Sequence, residues 1–595
     1  MSEPQVTARA SAGVTWRRPA PPGAVGRVGS RWPRPAQLRA LVRRHWLISI
    51  LMAAGIVLRA LTVAAYHPAL IYIDTIKYLY GEYPGADPLG YRVALRAILL
   101  VGDLGTVAVI QHLLGLAIAA ILYLVLVRKG IPLWLAAIAA APILLDAYQL
   151  QMEATIMPDV WFEAMLAAGL AVLLWRPGVT LPRAVTAGLI LGASATVRQI
   201  GEAVIVPVLL YLLFNALLRG DRDATRRDRG QQGADGPDGG TRRAARSARS
   251  RNWRRQLGRA AALTVAFALP IVLYSGVSYV RDGHFWLAAG QKTTGRTAAA
   301  ADCATLNVSA QVRALCPSPT AQKEGPDYLE HNKLSPLFAT PVVPGTRQKL
   351  LTELNTAVIH QQPERVALAV LRDSVRLFAV VRKPSPAVTP LFRWQFQTHY
   401  PNYFPSVHTA ANGNIIIGLQ AKVFGPFKFS VLKPAYGGKA QVNHLLAGGL
   451  RFYQLYGGYT PGPLLALFTL LGLAGSLLVL KRRASARTRQ LALGCLLFTA
   501  TSVVVLLGAD VYEFSWRYQL PGLVTLPVAG VLGLCALLSL RTDVRSARTE
   551  PGHAASVGQP GQPGLGEDLG SGSRPGPDAG DEPGDQGGAQ RPALA

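Results

Sequence analysis

HWLISILMAAGIVLRALTVAAY, residues 45–66, is the stretch on which the fold turns. Its one charged side chain is Arg59, and polar residues do not recur at the spacing that marks a surface helix of a soluble protein. A helix of this length, at 1.5 Å per residue, reaches about 30 Å, the hydrocarbon thickness of a bilayer. TVAVIQHLLGLAIAAILYLVLV, residues 106–127, repeats the pattern, as do 257–280, 463–480, 490–508 and 518–540. Four weaker or Pro-interrupted stretches, 131–145, 160–175, 184–197 and 203–218, complete a set of ten. The expected fold is an all-α polytopic membrane protein with about ten transmembrane helices and a large mixed extracytoplasmic loop domain.

Composition agrees. Half of the 595 residues are hydrophobic and 16% are charged, against about a quarter charged in soluble domains. The net charge of +28 raises the question of a nucleic-acid partner. The basic residues concentrate, however, in 1–44 and 219–255, which are rich in Pro, Gly, Ala or Asp and lack regularly interleaved aromatics for base stacking. Basic flanks that orient membrane helices explain them more simply, and no nucleic acid is expected. No cleavable signal peptide is expected either, because a basic tail precedes the first apolar run, which reads as a signal anchor.

The excess of Arg and Lys on cytoplasmic loops sets the orientation. Counting ten crossings from a cytoplasmic start puts Arg128-Lys129, Arg176, 219–255, Lys481-Arg482-Arg483 and Arg541 inside. It puts 67–103, 146–159, the turn at Arg198, 281–461 and 509–517 outside. The expected organisation is a disordered basic tail (1–44), an N-terminal transmembrane module (45–218), and a disordered basic loop (219–256). A further transmembrane helix (257–280), an extracytoplasmic domain (281–461), C-terminal transmembrane helices (462–540) and a disordered tail (541–595) follow. Both termini are expected in the cytoplasm of a multi-pass plasma-membrane protein.

Within 281–461, Arg347–His360 and Pro363–Val381 read as helices, with Pro363 suited to a first turn. The second has a broad apolar face beside arginines, fit either for the membrane surface or for packing on the bundle. Cys303 and Cys316 share a polar loop there. A disulfide fits an oxidising exterior and would contribute roughly 3 kcal/mol locally; two unpaired thiols are the alternative.

Ionisable residues at membrane depth are costly and therefore informative. In this topology they gather at the outer helix ends: Asp74, Lys77 and Tyr78 after the first helix, Glu153 and Asp159 between the third and fourth, Arg198 after the fifth, and Glu513, Arg517 and Tyr518 before the last. Pro158 can open a helix, which puts Asp159 and Glu163 on one face. For each residue alone there is a bland reading: carboxylates complement helix dipoles and arginines snorkel. Four separate connections supplying one set weigh against it.

This order of motifs resembles the C-type membrane glycosyltransferases (GT-C), which use polyprenyl-phosphate-linked sugars. Within them it is most similar to the family of protein O-mannosyltransferases and aminoarabinose transferases. The resemblance rests on Asp74 with Tyr78, then Asp87-Pro88-Leu89-Gly90-Tyr91, acidic Glu153 and Asp159, Arg198, and finally Arg517-Tyr518 with Pro521. It covers roughly 45–280 and 460–540. The stretch from Gly295-Arg296-Thr297 to Cys316 is similar to exterior loops of actinobacterial membrane proteins of this type.

The resemblance implies transfer of a sugar from a polyprenyl-phosphate-sugar donor to a cell-envelope glycan, lipid or protein acceptor on the outer side. A carboxylate must accept the acceptor's proton, for which Asp74 is the candidate, with Asp159 and Glu153 positioning the acceptor or supporting the arginines. Arg198 and Arg517 would bind the departing phosphate, with Tyr518, Lys77, Tyr78 and Arg92 around them. Many members carry a second acid beside the first, but here Thr75 follows Asp74. A divalent cation, Mg²⁺ or Mn²⁺, would need oxygen ligands from separate loops such as Asp74 and Asp159. Two rivals remain. A transporter or lipid flippase would carry charges near the bilayer midplane; a non-catalytic envelope scaffold needs no recessed carboxylates.

Overall fold

The computed structural model describes residues 35–549 apart from 81–86, 232–239, 289–292, 385–388, 399–406, 410–414, 418–436, 438–440 and 482–483. Helices of eight or more residues, numbered in chain order, begin with α1 (Pro35–Arg44), α2 (Trp46–Ala65), α3 (Ile73–Tyr80), α4 (Tyr91–Leu99), α5 (Leu104–Arg128) and α6 (Leu133–Leu145). They continue with α7 (Ala147–Ala154), α8 (Asp159–Leu174), α9 (Leu181–Val197), α10 (Ile205–Gln231) and α11 (Gly240–Asp282). Then come α12 (Arg347–Gln361), α13 (Pro363–Ser374), α14 (His444–Leu455), α15 (Gly462–Leu477), α16 (Ala486–Asp510) and α17 (Pro521–Thr549).

Every one of the ten apolar stretches is helical. Seven helical segments among the described residues are long and apolar enough to cross a membrane: Trp46–Ala65, Leu104–Arg128, Gln199–Leu218, Trp253–Arg281, Gly462–Leu480, Ala486–Asp510 and Pro521–Asp543. The pair α6 and α7 meets the same criterion jointly but bends by 51° at Asp146. The bend has a local cause: the Asp146 carboxylate accepts from the Tyr148 and Thr460 amides, which starts a new helix in a new direction. Helices α8 and α9 are shorter, at 16 and 17 residues.

Side-chain size sets how close the helices lie. A Cβ on Gly192 of α9 would meet the Phe267 carbonyl of α11, so glycine is what lets these backbones touch. Helix α5 packs on α6 and α8, and α16 packs on α10 and α15. Leu122, Ile143, Phe162, Leu166, Leu191, Phe498 and Leu532 lie in the shared core.

Helix reaches further than the sequence implies. The tail expected to be unstructured to residue 44 is helical from Pro35, α10 runs to Gln231, α11 starts at Gly240 and α17 runs to Thr549. Once nucleated in an apolar span, a helix extends cheaply through Ala- and Arg-rich flanks. The remainder of the expected disorder, 1–34, 232–239 and 550–595, lies outside the described residues.

The segment expected as a mixed domain is mainly helical where it is described. Ala298, Leu306, Val312, Leu329, Leu350, Leu354 and Val358 form a small core of their own. Cys303 and Cys316 are joined beside it, with Cα atoms 6.0 Å apart. Helices α12 and α13 stand where the sequence pattern puts them, and a 3-10 turn, Val375–Phe378, extends α13. Among the described residues the strands form two antiparallel pairs, β1 (Tyr66–His67) with β4 (Gln441–Val442) and β2 (Val407–Thr409) with β3 (Ile415–Ile417).

Candidate functional site

Backbone pairing between two connections builds the floor of the site. The Leu70 amide donates to Ala154 and the Ile156 amide to Leu70. Thr75 is fully buried; its hydroxyl donates to the Ile156 carbonyl and accepts from the Tyr72 amide. Thr75 therefore pins α3 to the connection before α8, holding Asp74, on the first turn of α3, beside Asp159, the first residue of α8. The third wall is fixed in the same way: the Gly90 amide donates to Thr196, next to Arg198, which ends α9.

Arg517, from the connection between α16 and α17, sits at the centre. Its Nε and Nη2 donate to both oxygens of Asp159 at 3.0–3.2 Å, and its Nη1 donates to Asp74 at 2.9 Å. Arg198 donates to Asp159 at 2.7 Å. Lys77 pairs with Asp74 at 3.2 Å and with Asp87. Three cations thus face three carboxylates. The Trp394 and Tyr518 rings stack near Arg517, with centroids 5.3 and 5.4 Å from the guanidinium carbon, and Tyr518 also lies 4.9 Å from Arg198.

A cleft of about 450 Å³ opens onto this cluster, lined by Asp74, Tyr78, Asp87, Arg198, Glu202, Tyr512, Arg517 and Tyr518 among others. Burial works to raise the Asp74 carboxyl, but the Lys77 and Arg517 charges outweigh it and hold the group below the usual carboxylate range. Burial likewise opposes charge on Lys77, yet Asp74, Tyr78 and Asp87 keep it well above the usual lysine value. Asp74 and Lys77 are therefore both charged at neutral pH.

The expected residues divide. Asp74, Lys77, Tyr78, Asp159, Arg198, Arg517 and Tyr518 come together. Glu153 does not line the cleft. The bend at Asp146 turns α7 back into the bundle, where Glu153 is fully buried and holds Arg59 of α2 at 2.7 Å and His112 of α5 at 2.9 Å. Gly115 leaves room for it, since a Cβ there would strike the carboxylate. Arg92, on α4, is not among the residues that line the cleft. Asp87 and Glu202 were missed as site residues. Asp87 stands in a motif already singled out, and Glu202 follows Arg198 by four positions, so both could have been found.

As ligands for a shared divalent cation, Asp74 and Asp159 do not fit, because the Arg517 guanidinium bridges them. Among the described residues no three His, Cys, Asp or Glu side chains are arranged to hold a metal ion. No family model matches this chain, and no curated protein matches it.

Proposed function

We propose that this chain is a membrane glycosyltransferase that moves a sugar from a polyprenyl-phosphate carrier to a cell-envelope acceptor at the outer face of the plasma membrane. The reading takes all ten apolar helices as crossings, with both termini in the cytoplasm. The observation that carries it is Arg517 bound to Asp74 and Asp159 beneath a cleft, with Arg198 and Lys77 alongside. Fixed arginines suit a phosphate leaving group, since their planar forks bind its oxygens in pairs.

In the proposed reaction the acceptor hydroxyl oxygen bonds to the anomeric carbon while the bond from that carbon to the phosphate oxygen breaks. The electron pair leaves with the phosphate, and the hydroxyl proton passes to Asp74. Asp74 at rest is a weak base because Arg517 and Lys77 hold it. A donor phosphate would compete for the same cations, loosening that hold and raising the carboxylate's basicity as the site fills. A neutral cluster also avoids leaving three bare cations at the membrane edge before substrate arrives.

A second reading, a transporter, has its own observation. The Arg59–Glu153–His112 group lies roughly 9–12 Å inside the outer helix ends, counted at 1.5 Å per residue, and Gln149 links towards Glu163. Buried charge at that depth is a hallmark of ion or proton paths.

The deciding experiment is sugar transfer or hydrolysis by the purified full chain, reconstituted in sealed vesicles with a synthetic polyprenyl-phosphate-sugar. Release of free lipid phosphate supports the enzyme; sugar-lipid crossing vesicles intact supports the transporter and overturns it. Orientation is read separately in sealed cells: Leu334→Cys should react with an impermeant thiol reagent and Lys481→Cys should not.

A further inference from the structure

Helix α13 presents three distinct arcs along its length. The first is buried: Val370, Asp373 and Leu377 face inward, and the helix packs on α16. The second is apolar and bare. Leu368, Leu371 and Val375, at spacings of three and four, are 67%, 57% and 57% exposed. The third carries Arg365 and Arg372, seven apart, on the flank of the apolar arc, both exposed. A helix packed only for stability would put polar residues on the second arc. Solvent-facing leucines flanked by arginines are the pattern of a helix lying in a bilayer interface.

The surroundings supply the level at which it lies. The Ser374 hydroxyl donates to Asp510, the last residue of α16, at 2.6 Å. A Cβ on Gly462, the first residue of α15, would collide with Phe378 and Ala379 just beyond α13. The helix is thus fastened where two candidate membrane spans end. From that point the exposed leucines of α15, Leu467, Leu470, Leu473 and Leu477, begin within roughly 8 Å along the axis. Both sets of exposed leucines therefore flank the same junction.

We propose that α13 lies in the outer bilayer interface, with Leu368, Leu371 and Val375 among the acyl chains and Arg372 at the level of lipid phosphates. The occupant is lipid. Arg365 is partly engaged by Asp302 at 3.3 Å and serves as a rim charge. Through Asp373, which also binds the buried Arg296, the helix ties the small outer core to the bundle. The inference stands apart from the proposed activity, since it needs only a membrane.

The test uses the full chain in phosphatidylcholine nanodiscs with an environment-sensitive fluorophore on Leu371→Cys. Cys535, which is partly accessible, is replaced by Ser, and Cys495 is buried. A Leu334→Cys variant carries the same label as a control, since Leu334 is 77% exposed on the outer region. Lipids bearing a nitroxide near the carbonyl end of the chain should quench the label at 371 at least about twofold more than at 334, with blue-shifted emission. Equal quenching at the two positions overturns the proposal. A blue-shifted but unquenched label at 371 also overturns it, because protein rather than lipid would then cover the stripe.

Discussion

Two Arg–carboxylate clusters lie within one bundle and are built differently. In the cleft, Arg517 serves two carboxylates and Asp159 two arginines, while Asp74, Lys77 and Arg198 keep 25%, 29% and 20% of their side chains exposed. In the bundle, Glu153 and Arg59 are 0% and 4% exposed, and the Arg59 Nη1 and Nη2 groups also donate to the Gly55, Ile143 and Leu144 carbonyls. The first cluster is redundant and open, so a ligand can exchange for one partner at modest cost. The second is closed on itself, and removing a member strands a charge. The contrast separates a cluster that is open to a ligand from one that is buried between helices.

The largest effect expected from this contrast is on turnover. Asp74→Asn keeps the side chain's size but removes its ability to accept a proton, so sugar transfer should fall by about 10²–10⁴-fold. Donor binding should hold or tighten, because one competitor for Arg517 and Lys77 loses its charge. Arg198→Ala should weaken donor binding as well as turnover. Measured at matched expression, an Asp74→Asn protein with more than about half the wild-type rate would end the base assignment. Asp159 would then be the carboxylate to examine.

The closed cluster should respond in stability instead. Glu153→Ala leaves the Arg59 charge buried without its carboxylate, and removing one partner of a buried pair costs about 3–5 kcal/mol. Thermal unfolding in detergent should show the loss, and Arg59→Met combined with Glu153→Ala should recover part of it. If Glu153→Ala folds as stably as wild type yet abolishes a proton-dependent signal, the transporter reading gains and the structural role is lost.

Which parts were legible follows from how local each signal is. Apolar runs report helices without reference to neighbours, so all ten stretches could be read as helical; seven segments, or eight with the bent α6–α7 pair, are long and apolar enough to cross a membrane. Pro363 and the apolar spacing after it locate α13 for the same reason. Asp74, Asp159, Arg198 and Arg517 were legible because each sits at the end of an apolar run, and such ends share one side. Glu153 was misread because its position depends on the 51° bend at Asp146, which no local pattern around residue 153 announces. Arg59 was the missed clue: a charge inside the run 45–66 needs a buried partner, and Glu153 supplies it. The helical flanks beyond 219 were misread because composition argued for disorder while helix propensity argued the other way.

A smaller effect is expected around the Cys303–Cys316 bridge. Opening the Cys303–Cys316 bridge with Cys303→Ser and Cys316→Ser together should cost the small core about 3 kcal/mol, through a looser unfolded chain. Limited proteolysis should cut between 300 and 360 faster, while the bundle cluster stays intact. Equal proteolysis with and without the bridge would mean that packing of Leu306, Leu350 and Leu354 alone holds this region.

The smallest effect is a pH dependence, and it has opposite signs at two carboxylates near the cleft. Asp74 is held below its ordinary value, so its contribution is present at neutral pH and fades only as acid carries the pH down through the folded-state value. Glu513, 5% exposed in the connection that carries Arg517, behaves the other way. Burial, then the Asp327 charge, pushes it up to about 8, against Arg393 and Arg296. Between its unfolded value near 4.5 and about 8 the folded state binds more proton than the unfolded one. Stability therefore falls as pH rises through that window. Glu513→Gln, neutral throughout, should remove this slope, while Asp74→Asn should leave it and blunt only the acid limb. The midpoint of thermal unfolding, followed from pH 5 to 9, should separate the two variants by about a degree or two. Identical profiles for wild type and Glu513→Gln would mean that Glu513 ionises normally, and its neutral state beside Thr389 and Asp327 would have to be given up.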